Sequence, residues 1–171
     1  MSIETNRAFP KFTILPCDLE EGPKTMNGQD TSPKQRWLVV DDDATLVELL
    51  TLILREQLQA NVAGFTSGDE AWEDIVSHPV GVELVITDRD MPGIDGVELA
   101  RRIQAQTPDT RVLLITAHHE DLDRDVLRQS GIHAVLPKPF TCEQFIAMIG
   151  KLLPDTIATI ASESARLSVA A

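Results

Sequence analysis

Carboxylate, hydroxyl and ammonium side chains stand at the ends of four apolar runs in this sequence. WLVV (37–40) is followed by Asp41, Asp42 and Asp43, and ELVIT (83–87) by Asp88, with Asp90 two residues on. RVLLIT (111–116) ends on Thr116, and IHAVL (132–136) leads into Lys138 and Pro139. If the runs are neighbouring strands, one edge gathers acids, a hydroxyl and an amine. Two unit charges about 4 Å apart repel by roughly 1 kcal/mol in water and about 4 kcal/mol at an effective dielectric near 20. Three carboxylates in one pocket therefore disfavour the empty fold, and a hard cation relieves them. Oxygen donors without His or Cys favour Mg²⁺, which takes one or two carboxylates and leaves positions for water and phosphoryl oxygens. With its neighbours screened, Asp88 is a usable nucleophile, and carboxylates form aspartyl-phosphate intermediates. Lys138 and the Thr116 hydroxyl are the donors available to the phosphoryl oxygens.

Each group alone has a plainer structural reading. Asp43 stands where a helix N-cap belongs, Thr116 alone reads as a core threonine, and Lys138 alone as a surface lysine. Agreement at four strand ends, in one order, favours the chemical reading. TDRDMPGIDG (87–96) strengthens it by placing an acid, Met91, a Pro-Gly turn and the cap residue Asp95 in one short stretch.

The elements that must position these groups follow from the apolar periodicity. The continuous runs at 37–40, 83–87 and 111–116 have the pattern of strands buried on both faces, and NVAGF (61–65) and IHAVL (132–136) are shorter strands. Between them lie helical patterns. Leu46, Leu49, Leu50, Ile53, Leu54 and Leu58 recur at three- and four-residue steps. Ser67 with Glu70 and Thr141 with Gln144 have the spacing of capping boxes, Asp95 with Glu98 has the same cap spacing, and Gly131 can close a helix marked by Leu122 and Val126. Five strands alternating with five helices predict an α/β fold. Its sheet is parallel and doubly wound, with right-handed crossovers. In such a sheet the chemistry sits at the carboxyl ends of the strands, where these groups fall.

Composition narrows the function further. The chain of 171 residues has a formal charge of −12, which argues against nucleic acid or an anionic membrane as a direct partner, since both are polyanions. No apolar run is long enough to span a bilayer, and the N-terminus lacks the apolar stretch of a signal peptide. Cys17 and Cys142 form no disulfide framework and no zinc spacing. A cytoplasmic protein is expected. Residues 1–36 are charge-balanced and hold four of the ten prolines. They read as an irregular extension, or else as a docking arm in which FTIL (12–15) adds an edge strand. The acidity is concentrated in residues 37–153, the expected domain. Residues 154–171 read as a tail after Pro154, or else as a helix presenting Ile157, Ile160 and Leu167 to a partner.

WLVVDDDATL, ELVITDRDMPGIDGVELARRI, RVLLITAH and GIHAVLPKPF together resemble the receiver domain of bacterial response regulators. The resemblance covers residues 37–153 and implies a flavodoxin-like (βα)5 fold with strand order 2-1-3-4-5. It implies Asp88 as phosphoacceptor, with Thr116 as the switch hydroxyl and Lys138 as the paired lysine. It also implies Mg²⁺ held directly by Asp42, Asp88 and the backbone carbonyl of Asp90, with Asp41 acting through water. A cis Lys138–Pro139 bond follows from it too, and Asp90 and His118 stand at positions that tune phosphoryl lifetime. One position departs from the family. Three residues before the lysine, where an aromatic ring usually moves with the threonine, stands Val135. Valine is smaller and stiff at χ1. Activation is therefore expected to travel through loop and backbone movement near Thr116–Glu120, or else to be weak.

The sequence reads as a stand-alone receiver: a phosphoacceptor and not an enzyme, serving as an adaptor or phosphorelay intermediate. A histidine kinase or phosphotransfer protein is the expected donor. Output to a downstream protein, or homodimerisation, is expected through the face of helix four, strand five and helix five. Two other readings compete. One is a receiver module of a hybrid kinase or larger regulator. The other is a haloacid-dehalogenase-like phosphatase using Asp88 and Asp90, which Pro92, the early DD pair and the lack of a cap domain oppose.

Overall fold

The apolar runs form strands because their residues are needed on both faces of one sheet. In the computed structural model, which describes residues 13–14, 35–118, 120 and 123–160, the strands are β1 (Thr13–Ile14), β2 (Arg36–Val40), β3 (Asn61–Phe65), β4 (Val82–Asp88), β5 (Arg111–Thr116) and β6 (Ala134–Pro137). The helices are α1 (Ala44–Leu58), α2 (Gly68–Ser77), α3 (Gly96–Gln106), α4 (Arg124–Gln129) and α5 (Cys142–Leu152). Strand residues alternate between two cores. Leu38, Val40, Val85, Val112, Leu114 and Val135 face α2, α3 and α4. Trp37, Val39, Leu84, Ile86, Leu113, Ile115 and Leu136 face α1 and α5. Burial of one such aliphatic side chain contributes about 1.5–3 kcal/mol, so the two layers hold the sheet from both sides.

The sheet order is β3-β2-β4-β5-β6-β1. The five strands from β2 to β6 all run parallel to one another. Counted alone they have the expected order 2-1-3-4-5. The fold class is the doubly wound α/β arrangement that the periodicity indicates.

Three local details differ from expectation. The last parallel strand starts at Ala134 rather than Ile132, because the Ile132 N–H turns back to the Leu127 carbonyl at 3.1 Å and closes α4. Ser67 caps α2 by accepting the Asp69 N–H, whereas Thr141 and Gln144 make a full capping box on α5. Residues 154–160 are helical, as in the alternative to a tail after Pro154, but Ile157 and Ile160 pack on the core beneath α1 and α5 instead of being presented to a partner.

Of the segment expected to be irregular, Thr13–Ile14 forms β1. It pairs antiparallel with β6, Thr13 opposite Val135 and Ile14 opposite Ala134, which is the edge-strand alternative. Residues 1–12, 15–34, 119, 121–122 and 161–171, with Cys17, Leu122 and Leu167, lie outside the described residues.

Candidate functional site

Register brings the reactive groups together. Val40 pairs with Phe65 on one side and Thr87 on the other, so Asp41 and Asp88 leave adjacent strands side by side. Asp88 pairs with Ile115, and Thr116 with Pro137, which places Lys138 one residue beyond the sheet at the same end. Two further backbone bonds extend the ladder past the strands: Arg89 N–H to the Ile115 carbonyl at 3.0 Å, and Lys138 N–H to the Thr116 carbonyl at 2.8 Å.

The side chains converge there. Lys138 Nζ donates to Asp88 Oδ1 at 2.6 Å and to Asp41 Oδ2 at 2.9 Å. Both carboxylates are nearly enclosed, Asp41 being 3% exposed and Asp88 8%. Each also accepts an amide: Asp41 Oδ1 from Asp43 N at 2.9 Å, and Asp88 Oδ2 from Asp90 N at 2.7 Å. Burial is the largest single influence on Lys138 and opposes its charge. The bonds and attraction of Asp88 and Asp41 together outweigh it and hold its pKa above the ordinary lysine range. Lys138 is thus a fixed cation, and its bond to Pro139 is cis.

Two carboxylates against one ammonium leave residual negative charge in a largely dry site. Hard oxygen donors with net negative charge suit Mg²⁺, which needs only one or two carboxylates. Among the described residues, no three His, Cys, Asp or Glu side chains cluster closely enough to cage a metal by themselves. Asp42 is exposed beside the pair. Asp43 serves as the N-cap of α1, its carboxylate accepting from Thr45 N and Leu46 N. The Asp90 carboxylate points outward, 57% exposed, 3.7 Å from Arg89 Nε.

Thr116 is fully buried, and its Oγ1 accepts the His118 N–H at 3.0 Å. A hydroxyl in that role keeps its own proton to donate. Val135 is buried in the layer of α2–α4, between Leu114 of β5 and Thr13 of β1 in register. Arg89 has a part that the sequence reading missed. Its Nη1 donates to the His118 carbonyl at 2.9 Å, across the mouth of the site. The available signal was an arginine flanked by two aspartates on an acidic edge.

A nearly buried carboxylate beside a second acid, a bridging ammonium and a hydroxyl one strand away can accept an electrophilic phosphoryl group and hold its oxygens. Residues 37–150 match the family described as response regulator receiver domain. The chain belongs to the response regulator receiver family.

The similarity extends to individual receivers. The transcriptional regulatory protein CssR of Bacillus subtilis is 34% identical over 115 residues, covering 67% of this chain and 49% of CssR. A receiver protein from Burkholderia phymatum is 33% identical with a TM-score of 0.60, over 71% of this chain and 96% of that one. A CheY in a CheX–CheY–BeF3–Mg complex from Borrelia burgdorferi is 26% identical with a TM-score of 0.63, over 70% of this chain and 89% of that one. This chain spans about half the length of the curated relatives it matches. Among the described residues of this receiver, no helix is long and apolar enough to cross a membrane.

Proposed function

We propose that this receiver takes a phosphoryl group onto Asp88 from the phosphohistidine of a kinase or phosphotransfer protein. The observation that carries this reading is the shared cation: Lys138 Nζ touches both Asp88 and Asp41 at the ends of neighbouring strands. In the transfer a carboxylate oxygen of Asp88 forms a bond to phosphorus. The phosphorus–nitrogen bond of the donor breaks, and the leaving imidazole nitrogen keeps the electron pair and takes a proton. Lys138 moves from the carboxylate toward the new phosphoryl oxygens, and Thr116 donates its hydroxyl proton to one of them. Asp42, Asp88 and the Asp90 carbonyl would hold Mg²⁺, with Asp41 acting through water, and the ion would supply charge neutralisation for those oxygens. The Borrelia CheY, similar in sequence and fold, occurs in a complex with CheX, BeF3 and Mg, which supports the same chemistry here. The protein is then a phosphoacceptor that assists its own modification rather than a turnover enzyme.

Output is through protein contacts, with the added charge of about −1.5 to −2 shifting a two-state equilibrium. The face of α4, β6 and α5 is the proposed surface for a downstream partner or a second copy. The length of the curated relatives favours a second reading, in which the chain is the receiver module of a larger regulator. Under both readings the acidic receiver itself does not touch nucleic acid.

The test is incubation with acetyl phosphate and Mg²⁺ followed by intact mass. One phosphoryl mass is expected on the wild type and none on Asp88→Asn. An unmodified wild type overturns the proposal, and continuous hydrolysis of a phosphomonoester favours the phosphatase reading instead.

A further inference from the structure

We propose that Arg89 is a positioning residue that pins the 115–118 segment in the unmodified protein and releases it when Asp88 carries a phosphoryl group. The inference rests on the reading of Asp88 as acceptor. Arg89 directly follows Asp88 and grips the end of β5 and the loop after it: its backbone N–H holds the Ile115 carbonyl at 3.0 Å, and its Nη1 holds the His118 carbonyl at 2.9 Å. Thr116 Oγ1 lies inside that span and accepts the His118 N–H at 3.0 Å. Residue 118 is therefore held by its amide and its carbonyl together. The hydroxyl cannot travel toward Asp88 without breaking the first bond or dragging the segment against the second.

A phosphoryl group on Asp88 changes what Arg89 prefers. A guanidinium bonds a neutral carbonyl less strongly than a phosphoryl group of charge about −1.5 to −2. The competing carboxylate of Asp90 lies 3.7 Å from Nε and is more than half exposed, so it holds Arg89 weakly. The new anion draws the guanidinium off the His118 carbonyl, and the freed segment follows Thr116. This exchange gives the fold a readout where Val135 offers no ring to turn. The device converts charge one residue away into backbone movement between β5 and α4.

The experiment uses the full chain labelled with ¹⁵N, as wild type, Arg89→Ala and Arg89→Lys, with beryllofluoride plus Mg²⁺ as the phosphoryl probe. In the unmodified protein, amide exchange at His118 is expected to speed up about tenfold in Arg89→Ala, the effect of one lost hydrogen bond on a local opening. The beryllofluoride-induced shifts at Ala117 and His118 are expected to shrink to less than about half of the wild-type amplitude, since those amides are already released. Arg89→Lys, with one point donor, is expected to fall between the two. Wild-type exchange and wild-type shift amplitudes in Arg89→Ala overturn the proposal. If that variant fails to fold by circular dichroism, Arg89→Lys decides: faster His118 exchange than in wild type supports the latch and an unchanged rate overturns it. Failure of the acceptor reading looks different. The wild type itself then shows neither beryllofluoride shifts nor acetyl phosphate labelling, and the latch falls with it.

Discussion

The ammonium of Lys138 sits 2.6 Å from Asp88 Oδ1 and, at the same time, 2.9 Å from Asp41 Oδ2. One cation thus neutralises part of the repulsion between two nearly buried acids. Removing a partner from a buried charged cluster costs more than an exposed salt bridge contributes, because a charge is left without compensation. Lys138 is itself 27% exposed, so the cost is smaller than for a fully buried pair. Lys138→Met is expected to lower unfolding stability by about 1–3 kcal/mol in Mg²⁺-free buffer. Added Mg²⁺ should recover part of the loss, because a divalent cation can take over the screening. Urea midpoints with and without Mg²⁺ check this. An equal deficit in both buffers would mean that the lysine is not the acids' compensating charge.

His133 provides a pH dependence outside the acid site. Its Nδ1 accepts the Val112 N–H at 3.1 Å, and its own amide donates to the Val112 carbonyl at 2.9 Å. Burial, reinforced by Arg111 and opposed by a backbone bond at Gly131, pushes its pKa down to about 4. The unfolded chain titrates near ~6.5. Between those values, falling pH protonates the unfolded form first, so stability is lost on acidification, by about 1–3 kcal/mol. Above pH ~6.5 this group adds no slope. His133→Phe keeps an aromatic ring but leaves the Val112 amide unpaired, costing about 1–3 kcal/mol at neutral pH. The gap between variant and wild type should narrow as pH falls from about 7 to about 4, read from urea midpoints. Parallel stability curves would remove His133 from the explanation.

Gly96 tests how tightly the backbone of Asp88, the proposed acceptor, is seated. A Cβ at this position would stand 2.1 Å from the Asp88 carbonyl oxygen and 2.9 Å from Leu114 Cδ1. A backbone oxygen cannot rotate away, so either the start of α3 or Asp88 itself must move. Gly96→Ala is expected to cost about 1–3 kcal/mol and to slow labelling of Asp88 by about tenfold or more. Initial rates with acetyl phosphate and urea unfolding measure the two effects. A variant as stable and as quickly labelled as wild type would show that the approach relaxes without consequence.

Much of the fold was legible because its signals are local. WLVV, NVAGF and RVLLIT became strands within a residue of their apolar bounds, and Asp43, Asp95 and Thr141 cap the helices they precede. The start of β6 was misread for a reason of context. Ile132 and His133 have strand composition, but the Ile132 amide closes α4 and the His133 ring takes the Val112 amide, so that only the His133 amide reaches β5 and regular pairing begins at Ala134. The helix over 154–160 was legible only as the alternative to a tail, and its packing on this chain's own core was not legible at all. Proline is tolerated in the first turn of a helix, and the apolar contacts of Ile157 and Ile160 depend on a core built from distant segments.

The sequence by itself determined the alternation of strands and helices, the family, and which residue types stand at the strand ends. Hydrophobic period, caps and turns act over a few residues and are written in order along the chain. Only the tertiary structure decided that Lys138 bridges Asp41 and Asp88, that Arg89 reaches His118, and that Thr13 lies against Val135. Those partners come from separate segments, and their meeting depends on strand register and side-chain direction, which are settled only when two cores close on the same sheet.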